Sequence, residues 1–104
     1  MKFELKGPLK ENIYNLAREM GYYFLRENGE QNEFELARPA RGYPRFHLFI
    51  NIENDIIIFK LHLDQKKPSY QGVPAHAGEY ESEIVRKEAE RIKQILFNAK
   101  KNEK

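Results

Sequence analysis

Residues 45 to 64 constrain this fold more than any other segment. RFHLFINIE and IIIFKLHLD flank Asn54-Asp55. Both runs are rich in β-branched and aromatic residues, and two turn-forming residues join them, which spells an antiparallel hairpin. A two-residue turn pairs Glu53 with Ile56 and, at the far end, Arg45 with Asp64. Phe46, Leu48, Ile50 and Ile52 then share one face with Ile57, Phe59, Leu61 and Leu63. Burying each such side chain contributes about 1.5 to 3 kcal/mol before chain entropy is subtracted. The opposite face carries Arg45, His47, Phe49, Asn51, Ile56, Ile58, Lys60, His62 and Asp64. A slip of one residue would turn one strand over entirely. The unbroken run Ile56 to Phe59 leaves that strand's facing less sharply written than its partner's.

The flanking segments supply two helices and three more strands. Phe3 and Leu5 alternate with Lys2, Glu4 and Lys6, and Gly7-Pro8 ends that strand. Leu9, Ile13, Leu16, Ala17 and Met20 follow helical spacing, with Gly21 as a stop, so a helix is expected from Leu9 to Met20. YYFLRE reads as a strand, Asn28-Gly29 as a turn, and Phe34 and Leu36 as a returning strand. PARGYP connects it to the hairpin. Residues 65 to 78 form a long loop with two prolines and two glycines. The last helix is expected from Glu79 to Lys100, its stripe being Tyr80, Ile84, Val85, Ile92, Ile95, Leu96 and Ala99. The order β-α-β-β-β-β-α implies an α+β two-layer sandwich. Its antiparallel sheet has four to five strands, and both helices lie on one face. Residues 1–100 form one domain, and 101–104 a frayed basic tail.

Composition narrows the class. The sequence has 104 residues, enough for one core without disulfides, and no cysteine, which removes thiolate metal sites. MKFELKGPLKEN holds no apolar run of signal-peptide length, and Ile56 to Phe59 is too short to span a bilayer. The expectation is a cytoplasmic protein without membrane contact. Net charge is only +2, but it is unevenly distributed. Residues 38 to 50 hold three arginines and no acid, whereas EYESE at 79 to 83 is acidic.

No complete catalytic motif is present, and the expectation is a binding module rather than an enzyme. One constellation is basic and aromatic. Arg45, Phe49 and Lys60 share the open face, Arg38 and Arg41 enter its edge, and Lys66, Lys67 and Tyr70 leave it. Cations meet phosphates and exposed rings stack on unpaired bases, so RNA or DNA is the first expected partner. The alternative constellation is His47, His62, Asp64 and His76. His47 and His62 are opposite in the expected register, with Asp64 two residues on. Imidazoles with a carboxylate hold zinc or another divalent metal, or act as an acid–base pair. The binding module itself needs no cofactor. A third expectation is a homodimer that buries Phe49, Ile56 and Ile58. Ser69, His76 and Asp64 offer the residue types of a hydrolytic triad, but nothing places Ser69 on a nucleophile elbow.

The helix at 9–20, the strands at 33–38, 45–53 and 56–64, and the helix with RKEAERIKQI at 86–95 follow one order. It resembles that of the double-stranded-RNA-binding domain. The resemblance implies topology only. That family has basic residues where this chain has Glu79, Glu81 and Glu83, and it lacks the YYFLRE strand and the long loop.

Overall fold

The structure, a computed structural model, describes residues 1–8, 12–65, 78–79 and 82–101. The strands are β1 (Lys2–Lys6), β2 (Tyr23–Asn28), β3 (Glu33–Arg38), β4 (Arg45–Glu53), β5 (Ile56–Asp64) and β6 (Gly78–Glu79). The helices are α1 (Ile13–Met20) and α2 (Glu83–Lys101). The antiparallel sheet runs β1-β5-β4-β3-β2, and β6 joins the outer side of β5 beyond β1. This is the α+β arrangement implied by the apolar patterning.

The β4–β5 hairpin has the expected register, from Glu53 opposite Ile56 to Arg45 opposite Asp64. Asn54 makes the turn at a positive φ of 51°, a conformation asparagine tolerates well. Leu48, Ile50, Ile57, Phe59, Leu61 and Leu63 are buried. They meet Leu16, Ala17 and Met20 of α1 and Val85, Ala89, Ile92 and Leu96 of α2 in one core. Phe3 stacks on Phe59 with ring centroids 4.8 Å apart, which fastens β1 to the same layer. The other sheet face has no helix over it among the described residues.

Element ends differ from expectation for identifiable reasons. The α1 cap is Asn12, whose side chain accepts from the Asn15 amide at 2.8 Å, so the helix starts at Ile13. Leu9 lies outside the described residues. Gly21 ends the helix at φ 83°, with the Tyr22 amide donating to the Ala17 carbonyl at 2.8 Å. The chain from β2 turns through residues 29 to 31 and Asn32 rather than a two-residue loop. α2 starts at Glu83, not Glu79, because Gly78 and Glu79 pair with Asp64 and Leu63, and Ser82 caps the helix. Ile84, expected in its stripe, is exposed.

A buried carboxylate ties the layers together. Glu88 of α2 accepts from the Tyr22 hydroxyl at 2.6 Å, from Arg38 Nη1 at 2.9 Å and from Arg91 at 2.8 Å. Arg91 also donates to the Met20 carbonyl at 2.6 Å, at the C-terminal end of α1. Desolvation would raise the Glu88 pKa, but the hydrogen bonds from Arg91, Tyr22 and Arg38 outweigh it and hold the pKa low. Burial, then the bond to Glu88, pushes the Tyr22 pKa far up.

Candidate functional site

β4 and β5 place His47 opposite His62 and Arg45 opposite Asp64 on the open face. His62 Nε2 lies 2.9 Å from Asp64 Oδ1, and His47 Nδ1 lies 3.3 Å from Asp64 Oδ2. One donor atom from each of His47, His62 and Asp64 falls within 4.8 Å of the others. All three side chains are largely covered. Phe49 is the nearest ring, its centroid 4.5 Å from that of His47. Arg45 flanks Asp64 at 3.6 Å and lies over the Tyr43 ring.

The electrostatics suit a ligand set. Burial lowers the His62 pKa below its ordinary value, and His47 pushes the same way against the Asp64 carboxylate. His62 is therefore a neutral imidazole near pH 7, the form that coordinates metal. His47 Nε2 is buried without a hydrogen-bond partner, although Glu35 Oε1 is 3.3 Å away. Glu35 reaches the cluster because β3 pairs with β4, which puts it opposite Phe49. A cation bonded at 2.0 to 2.2 Å separates two neighbouring donors by roughly 3 to 3.6 Å, close to the 2.9 and 3.3 Å of the two histidine–carboxylate pairs, which reach different oxygens of Asp64. Side-chain rotation would close the wider gap between the imidazoles.

The sequence did not single out Glu35. The signal available was its alternation with Phe34 and Leu36, which puts it on the open face but names no neighbour. His76 lies outside the described residues, as do Ser69, Lys66, Lys67 and Tyr70.

The described members of the basic constellation are only partly brought together. Arg38 pairs with Phe46 in the ladder and points to the helical side, where Glu88 holds it. Arg41 is exposed in the connection, and the buried Arg45 Nε lies 3.6 Å from Asp64 without a hydrogen bond. Lys60 and a partly exposed Phe49 do remain side by side on the open face. Among the described residues, that face is electrically balanced. Lys2, Lys6, Arg26, Arg45 and Lys60 are matched by Glu4, Glu33, Glu35, Glu53 and Asp64, for a net charge of zero.

No protein-family model, curated protein or solved structure matches the chain. Among the described residues, no helix is long and apolar enough to cross a membrane.

Proposed function

We propose that this protein binds a divalent transition-metal ion through His47, His62 and Asp64. The observation that carries the reading is the convergence of their donor atoms within 4.8 Å, from two adjacent strands with a fixed register. The donor chemistry supports it. Two imidazoles and one carboxylate form a mixed nitrogen and oxygen set of the kind that takes zinc, iron or nickel rather than calcium or magnesium. Glu35 is near enough to join as a second carboxylate or to orient His47. The nucleic-acid reading rests more lightly, because the described open face carries no excess of positive charge.

Calorimetric titration of zinc into untagged, chelator-treated protein tests this. One zinc per chain is expected, with a rise in thermal stability. Ligand at 100 times its Kd adds about 2.7 kcal/mol. His47→Ala and Asp64→Ala each abolish both signals while leaving the far-ultraviolet dichroism unchanged. Absence of heat and of stabilisation with zinc, nickel and manganese overturns the reading.

A further inference from the structure

Beside the histidine cluster, the open face forms a shallow trough of about 640 Å³. Its lining places Lys2 and Lys60 at one side, with Phe49, Ile58 and Asn51 next to them. Lys2 and Lys60 are direct cross-strand partners, and Lys60 is in turn opposite Phe49. Like charges placed directly opposite on a sheet destabilise it. Neither lysine has an ion-pair partner among the described residues. Four carboxylates also line the trough, away from the two lysines. Glu35 pairs with Arg26 at 3.4 Å, Glu33 accepts from Asn51 at 3.4 Å, and Glu27 accepts from the Tyr14 hydroxyl at 2.7 Å, whereas Glu53 keeps its charge at the far end. Protection of a sheet edge explains a lysine on β1. It does not explain Lys60, which sits on an interior strand. Asn51 also leaves its Oδ1 buried and without a donor in the trough lining.

We propose that this trough is a binding site for a small phosphate monoester with a flat ring. The phosphate carries a charge of about −1.5 to −2 at pH 7, which two ammonium groups match. Bound between Lys2 and Lys60, it removes their mutual repulsion. The ring lies along Phe49 and Ile58, where a half-open aromatic face gives stacking area. The site shares Phe49 with the histidine cluster but does not depend on a bound metal.

Titrations of phenyl phosphate and inorganic phosphate into chelator-treated protein, followed by amide NMR shifts, test it. Phenyl phosphate is expected to saturate with a Kd of about 1 mM or tighter, moving the amides of Lys60, Phe49 and Lys2. Lys60→Ala should weaken both ligands at least fivefold. Phe49→Ala should weaken phenyl phosphate and leave inorganic phosphate unchanged. Shifts that never saturate, or a Lys60→Ala variant that binds as well as the parent, overturn the proposal. So does self-association that is lost in Phe49→Ala and untouched by phosphate, because the face then belongs to a second copy of the chain. Loss of zinc binding with phenyl phosphate binding intact would refute only the metal site.

Discussion

Removing the Glu88 carboxylate is the sharpest test of what joins helices to sheet. Glu88→Ala takes away the acceptor of the Tyr22 hydroxyl and of both arginines. Tyr22 is 4% exposed, so its hydroxyl cannot turn to water and is left unsatisfied at about 1 to 3 kcal/mol. Arg38 and Arg91 are about a third exposed and recover part of their hydration, so they add less than a fully buried pair would. The total should be about 3 to 5 kcal/mol, the range for breaking a buried ion pair from one side. That is a large share of the roughly 5 to 15 kcal/mol typical of a domain. Urea denaturation gives it as a fall in midpoint at unchanged slope. Tyr22→Phe should cost about 1.5 to 3 kcal/mol alone, for a hydrogen bond to a charged group, and much less in the Glu88→Ala background. A loss below about 1 kcal/mol for Glu88→Ala, or full additivity of the two changes, would refute the account of Glu88 as the shared anchor.

Three further outcomes follow from the same structure. The depressed Glu88 pKa means that its stabilisation is present above the unfolded carboxylate pKa of 4.5 and lost as pH falls through the folded value. Glu88→Gln should therefore flatten the acid limb of a stability–pH profile. The lowered His62 pKa has the same sign. The unfolded imidazole takes its proton first, so stability falls from about pH 6.5 down through the folded value, and His62→Gln should remove that slope in metal-free protein. Asn12→Ala removes the α1 cap and should cost about 1 kcal/mol by thermal melting, whereas Asn12→Asp should cost almost nothing.

The hairpin was legible because strict alternation in β4 and a two-residue turn leave one register that buries one face. His47, His62 and Asp64 came together as a consequence of that register. What the sequence hides is long-range. Glu88 looks like Glu90 in a charged helical stretch, and its partners Tyr22 and Arg38 lie 66 and 50 residues away. The alternation of Phe34, Leu36 and Arg38 already turns Arg38 off the open face, but no local pattern names Glu88 as the group that holds it there. Glu35 joined the cluster only through the β3–β4 pairing. β6 has two residues, too few for any period, and its pairing with β5 delays the start of α2.

The central claim is that His47 and His62 share one metal ion with Asp64. Long-range proton–nitrogen NMR of the imidazole rings during a zinc titration tests it most directly. The account predicts that one nitrogen of His47 and one of His62 shift together, in proportion, and stop at one zinc per chain. In Asp64→Ala both responses should weaken in step. If zinc moves only one of these two histidines, or moves them at different stoichiometries, they do not form a shared site and the claim is wrong.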